Sequence, residues 1–340
     1  MTEIKIKRKF NRILPLCLAA AMLFPMFCGC AGGSLPDPSE DGILRIVVTS
    51  FPAENVVLSI LGDLREESNT DAITVERLGK TGQDLHSFEP SAADIRKLSN
   101  ADILICIGSI AETWLDAAVR ASGNTSLQIL SLTDICELYE EEDLPGLEDN
   151  GHHEHDHGEG TQVEYDEHVW TSFGNMARIV SAVRDLLADA LPEHSDILTA
   201  NAENYRRELD ALYADYRAVV AASEDPVLVI ADRYPFAYLM RELGIVCYAA
   251  FPGCSSETQA SFSTQVMLTE TVRDLHLSAV LYVDFGTSSV ADAVSSATGA
   301  PVYRLWSGQV PSDTGLSYLD MLRENLVSIR TALPAGKQTN

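Results

Sequence analysis

Apolar residues come in short runs separated by polar, Gly- or Pro-marked breaks, and the period of each run assigns an element. Leu44 to Thr49 (LRIVVT) reads as a strand, and Glu54 to Glu66 as an amphipathic helix. Ile73 to Leu78 is a second strand, and Gly79 to Pro90 a loop. Ser91 then starts a helix with Asp94 three residues on, the spacing of a capping box. Asp102 to Ile107 is a buried strand, Glu112 to Arg120 a short helix and Leu127 to Leu130 another strand. This β-α-β-α-β alternation predicts a parallel sheet with covering helices.

The pattern then turns helical. Ser172 can cap a helix that runs to Leu191, where Pro192 interrupts it. Ser195 to Ala222 is a second helix with apolar positions Ile197, Leu198, Leu209, Leu212, Tyr213 and Tyr216. At 1.5 Å per residue it would span about 40 Å, longer than one lobe of this size needs. The alternation resumes with strands at Val227 to Ile230, Val246 to Ala249, Ala279 to Val283 and Val302 to Leu305. Helices fall at Pro235 to Leu243, Gln259 to Leu275, Val290 to Thr298 and Tyr318 to Leu333, with Ser256 to Gln259 as a capping box. The two halves have similar size and the same order of elements. The expected fold is therefore α/β: two α/β lobes with parallel sheets, joined by a long rigid linker helix, with a ligand site in the inter-lobe cleft. The lobes are drawn at 43–172 and 224–340, with linking helices at 173–223.

The first 29 residues change the picture of where the chain works. Lys5, Lys7, Arg8, Lys9 and Arg12 precede an apolar stretch from Ile13 to Phe27, the pattern of a secretory signal. The Gly29-Cys30 step resembles a bacterial lipobox, which implies a lipid anchor on Cys30 at the membrane surface. Residues 30–42, rich in Gly, Ser, Pro and Asp, read as a flexible tether. The formal charge of −26 argues against nucleic acid, whose phosphates call for Lys and Arg. Of the seven cysteines, Cys17 and Cys28 leave with the signal, and Cys106 and Cys136 read as core. Cys247 and Cys254 could pair in an oxidising compartment.

Candidate chemistry concentrates between residues 137 and 168. The acidic loop 137–164 holds His152, His153, His155 and His157, four of the chain's eight histidines, and His168 follows in Asp-Glu-His-Val-Trp. Imidazole and carboxylate together suit Zn²⁺ and its first-row neighbours. In open parallel sheets ligands bind beyond the carboxyl ends of strands. His86, Asp232 and Asp284 stand at such ends in the predicted elements, and His168 precedes the linking helices. Two donors from each lobe would hold a cation in the cleft.

The segment Gly82-Gln-Asp-Leu-His86-Ser-Phe-Glu-Pro90, continued through Ala101-Asp102-Ile-Leu to Gly108, Glu112 and Trp114-Leu115, resembles the substrate-binding lipoproteins of zinc and manganese ABC importers. Asp166-Glu-His168-Val-Trp170 and Tyr318-Leu-Asp-Met-Leu-Arg-Glu-Asn325-Leu326 resemble further parts of that family, so the likeness covers about Leu44 to Leu333. Leu85 stands where the family often has Pro. The resemblance implies that His86 and His168 are metal ligands. The family's third ligand, a His or Glu, falls where this chain reads Ile-Ala-Asp232-Arg233, so Asp232 is the nearest donor. Asp284 is the choice for the fourth, with Glu257 and Cys254 as rivals; Gln309, where relatives can carry a histidine, is a poor ligand for zinc. The His152 to His157 cluster resembles the capture loop of the zinc-type branch.

The resemblance therefore implies a carrier of Zn²⁺, with Mn²⁺ possible, that delivers its cargo to ABC permease subunits as a monomer. Competing readings are a manganese carrier, a metal-storage or adhesin lipoprotein, and an extracellular metallohydrolase with Glu257 as base. Against the last, the chain has no serine elbow or phosphate loop. Capture should fail as ligand histidines protonate below about pH 6.5.

Overall fold

The computed structural model describes residues 42–64, 72–79, 88–108, 112–141, 165–253 and 260–334. The signal segment, Cys30, His86, Cys254, Glu257 and the four clustered histidines lie outside the described residues. The first half contains β1 (Leu44–Val48), α1 (Phe51–Leu61), β2 (Ile73–Arg77), α2 (Ala92–Asn100), β3 (Ile103–Cys106), α3 (Leu115–Ser122), β4 (Gln128–Ser131) and the single turn α4 (Leu132–Ile135). Two longer helices follow, α5 (Phe173–Ala190) and α6 (Ser195–Ala221). The second half contains β5 (Val227–Tyr234), α7 (Ala237–Leu243), β6 (Val246–Pro252), α8 (Phe262–Asp274), β7 (Val280–Val283), α9 (Ser289–Thr298), β8 (Val302–Leu305) and α10 (Tyr318–Ala332).

Both halves form four-stranded sheets, ordered β2-β1-β3-β4 and β6-β5-β7-β8, and every pairing is parallel. The same winding occurs twice, as the repeated alternation predicts. β3 (ILIC) is buried at all four positions because helices cover both faces of the sheet. Edge strand β4 is only partly covered. An outer cluster packs Val47, Leu98 and Leu104 in the first lobe, and another packs Val229, Leu268 and Val280 in the second. The inner cluster is shared: Ile46 and Ile105 of one sheet and Leu281 and Leu305 of the other join it with Leu209 and Tyr216 of α6.

The long helix α6 runs for 27 residues and is fastened to both lobes. Asn201 Nδ2 donates to Ile60 O at 2.9 Å, and Tyr205 Oη to Asn55 Oδ1 at 3.3 Å, both in the first lobe. Tyr216 Oη donates to Leu322 O at 2.6 Å, and Glu208 pairs with Arg323 at 2.6 Å, both on α10. A second fastening comes from α7. The Glu242 carboxylate takes the Phe173 and Gly174 N–H groups at 2.9 and 3.2 Å, so an acidic side chain from the second lobe sits on the N-terminus of α5. Among the described residues no helix is long and apolar enough to cross a membrane.

Several element boundaries differ from the sequence expectation, three of them for a clear local reason. α1 starts at Phe51 rather than Glu54, because Ser50 is extended and Pro52 fits the first turn. α8 starts at Phe262 rather than Gln259, because the Ser261 side chain accepts from Thr264 N at 3.0 Å and fixes the start there. β5 continues four residues beyond Ile230, with a register shift between Ile230 and Arg233. Asp232 therefore lies within a strand rather than in the loop after it.

Candidate metal centre

His168 is the best-defined candidate donor. It lies just before a 3₁₀ turn at Val169–Thr171 and is 1% exposed. Asp166 Oδ1 accepts from His168 N at 2.7 Å, closing an Asx turn, and meets His168 Nδ1 at 2.8 Å. One carboxylate oxygen thus fixes both the backbone and the ring. With Nδ1–H directed at Asp166, Nε2 would be the nitrogen that binds a metal, as in the carboxylate–histidine arrangement common in metal sites. The edge of Trp170 packs on the imidazole at 5.3 Å between centroids.

This short segment is held by groups from the second lobe. Tyr238 Oη donates to Asp166 O at 2.5 Å, and Tyr318 Oη donates to Trp170 O at 2.5 Å. Trp170 Nε1 donates to Ser307 O at 3.0 Å. Asn325 of α10 in turn brackets Trp306, accepting from its N–H and donating to its carbonyl, both at 2.7 Å. Gly253, at the end of β6, completes the contact. A Cβ there would lie 2.9 Å from Tyr234 O and 3.3 Å from His168 Cε1, so His168 rests against bare backbone at the carboxyl edge of the second sheet.

Burial alone would drive the His168 imidazole toward its neutral form. The carboxylates of Asp166, Glu167 and Glu141 outweigh that effect, and its pKa lies above the usual value. The ring sits in a negative field suited to a cation.

Asp232 is buried and its carboxylate is engaged by backbone. Oδ1 accepts from Arg233 N at 2.8 Å, and Oδ2 from Val283 N at 3.2 Å. Arg233 Nε lies 3.7 Å from Oδ1. Burial raises the Asp232 pKa against the lowering by these groups. Gly286 leaves room for the carboxylate, since a Cβ there would run into Oδ2. Asp284 Oδ1 accepts from Ser307 N at 2.8 Å, and burial raises its pKa too. Gln309 is buried in the same loop, its N–H on Ser307 Oγ at 3.1 Å.

Among the described residues no three His, Cys, Asp or Glu side chains converge into a metal-holding group. His168, Asp232 and Asp284 all stand at the facing edges of the lobes, but they do not form a three-donor cluster by themselves. Any further donor would come from outside the described residues. Cys247 is buried in β6, while its suggested partner Cys254 is outside the described residues. Burial pushes the thiols of Cys106 and Cys136 up to about 12, as expected for core cysteines.

Sequence reasoning missed the orienting role of Asp166, the packing of Gly253 and a buried carboxylate at the end of β3. Glu112 Oε2 accepts from Gly108 N at 2.7 Å, and burial, with Glu167 nearby, raises its pKa. The Asp-x-His spacing was the available signal for Asp166. Glu112 stands in the segment that carries the family resemblance, but nothing there marks it as buried, and nothing in the local sequence marks Gly253.

Comparison with known proteins adds independent information. The profile described as "ZnuA: Zinc-uptake complex component A periplasmic" matches residues 46–332. The zinc-binding protein AdcA of Streptococcus pyogenes is 26% identical over 312 residues, covering 88% of this chain and 58% of that protein. The chain thus spans little more than half the length of that relative. The high-affinity zinc uptake system protein ZnuA of Bacillus subtilis is 24% identical over 320 residues, with 93% and 96% covered. Among solved structures, a mutant of the laminin-binding adhesin Lmb from Streptococcus agalactiae superposes with a TM-score of 0.69 at 20% identity, covering 86% of this chain and all of that one. That likeness establishes the two-lobed fold.

Proposed function

Because the chain belongs to the ZnuA family of zinc-uptake components, we propose that it is an extracytoplasmic carrier that captures Zn²⁺ and delivers it to an ABC-type permease. The observation that carries this reading is His168: a buried imidazole, set in one tautomer by Asp166, in a negative field where the two lobes meet. The proposed ligand set is His86 and His168 from the first lobe with Asp232 and Asp284 from the second. Neutral imidazoles and carboxylates are a borderline-soft and hard donor mixture suited to zinc. A site with all positions filled by protein binds its cargo without leaving an open position for catalysis. The family is a zinc-binding transport component rather than an enzyme.

The surrounding parts serve capture and delivery. Cys30 carries a lipid that holds the chain at the membrane, beside the permease subunits it serves as a monomer. His152, His153, His155 and His157 act as a low-affinity collecting arm. The charge of −26 raises the local concentration of cations.

The test is zinc titration of the mature chain, alone and with His86→Ala and His168→Ala combined. One tight zinc per chain is expected, lost in the double variant. A site of micromolar strength or weaker that survives the loss of both histidines contradicts the carrier reading. Competition with Mn²⁺ in the same titration decides the preferred cargo.

A further inference from the structure

The candidate metal centre contains a fixed positive charge. Arg233 is 7% exposed. Its guanidinium lies over the Phe285 ring at 4.4 Å, with Nη2 donating to Phe285 O at 3.4 Å. Its Nε is 3.7 Å from Asp232 Oδ1. Phe285 follows Asp284 directly, so the guanidinium belongs to the same loop cluster as both proposed carboxylate ligands. Tyr234, the residue after Arg233 on β5, and His168 both border Gly253: a Cβ there would lie 2.9 Å from Tyr234 O and 3.3 Å from His168 Cε1.

Holding Asp232 does not require this cation. The carboxylate already takes two backbone N–H groups, one on each oxygen. A buried arginine beside a site for a dication also opposes loading, because like charges repel strongly where water is scarce. A scaffold selected only for the tightest grip would place a neutral side chain there.

We propose that Arg233 is a resident counter-cation of the metal site: it shares Asp232 with the cargo and so sets how tightly the site holds zinc and how readily it lets go. In the empty site the guanidinium balances the Asp232 carboxylate. An arriving M²⁺ competes for that carboxylate and repels the guanidinium. On release the arginine takes the carboxylate back, which favours departure of the metal. The inference rests on the metal-site reading above.

The experiment measures zinc affinity by competition with a chromogenic chelator, and zinc release by stopped flow. It uses the mature chain and the variants Arg233→Met, Arg233→Gln, Arg233→Lys, Asp232→Asn and the double variant Arg233→Met/Asp232→Asn. Removing the charge should tighten zinc by about tenfold or more and slow release in proportion. Arg233→Lys, which keeps the charge, should stay nearer to the wild type. The gain should shrink in the Asp232→Asn background, because it acts through that carboxylate. Arg233→Met with unchanged or weaker zinc binding and a wild-type melting temperature overturns the proposal; if that variant does not fold, Arg233→Gln decides by the same criterion. A gain of equal size without Asp232 overturns the sharing. If the wild type itself holds no tight zinc, the functional reading fails as well; if it does and no variant gains, only this inference fails.

Discussion

Asp166 and His168 show how much one carboxylate can decide. By taking both the backbone N–H and the ring N–H of His168, Asp166 removes the freedom of the imidazole and assigns its tautomer. Asp166→Ala should therefore weaken zinc binding by about 10–100-fold, and Asp166→Asn by less, as read by chelator competition. Equal affinity in all three proteins would show that the ring is held by other means. The raised pKa of His168 gives a second expectation. Zinc needs the neutral imidazole, so protons compete with it as pH falls through the raised value, and affinity should begin to fall above about pH 6.5 rather than below it. For the metal-free protein the sign is opposite. The raised pKa contributes stability that is fully present below the ordinary value and is lost as pH rises through the folded value. Zinc titrations and melting curves between about pH 8 and 5.5 check both, a span that brackets the ordinary histidine value; an affinity flat across that range contradicts the first. His168 was legible because its acidic and aromatic neighbours form a distinctive short pattern. The surroundings of Asp232 were not, because a register shift inside β5, invisible in composition, carries it into the strand and onto the N–H groups of Arg233 and Val283.

Among the helices, α6 and the N-terminus of α5 fasten the lobes. Leu209 is 1% exposed within the shared inner cluster, so Leu209→Ala should cost about 2–5 kcal/mol in urea unfolding. Glu242→Gln should cost about 1–2 kcal/mol, because it weakens two charge-assisted bonds to α5 while keeping the side-chain volume. A loss under about 0.5 kcal/mol would mean that water replaces those bonds. The order and type of elements were readable from periodicity, since fully buried β3 and the amphipathic α6 leave different spacings in the chain. The ends were less so. Ser50 before Pro52 and Ser261 before Thr264 fix starts through local bonds that compete with equally plausible polar residues nearby.

Across the molecule, a repeated four-stranded winding brings two carboxyl edges to face one another, and the shared inner core ties them into one frame. The repeat was legible because both halves show the same alternation. The donor set was not, because donors far apart in the chain could meet only through tertiary packing; among the described residues no three donors converge, and His86, Cys254 and Glu257 stand outside them. The proposed tight site in the cleft, built around His168, is distinct from the proposed weaker arm of clustered histidines. The most direct test is zinc titration of the mature chain lacking residues 148–160. One tight zinc per chain, held as in the intact protein, is the predicted result. Loss of tight binding on that deletion would place the principal site in the arm and contradict the cleft.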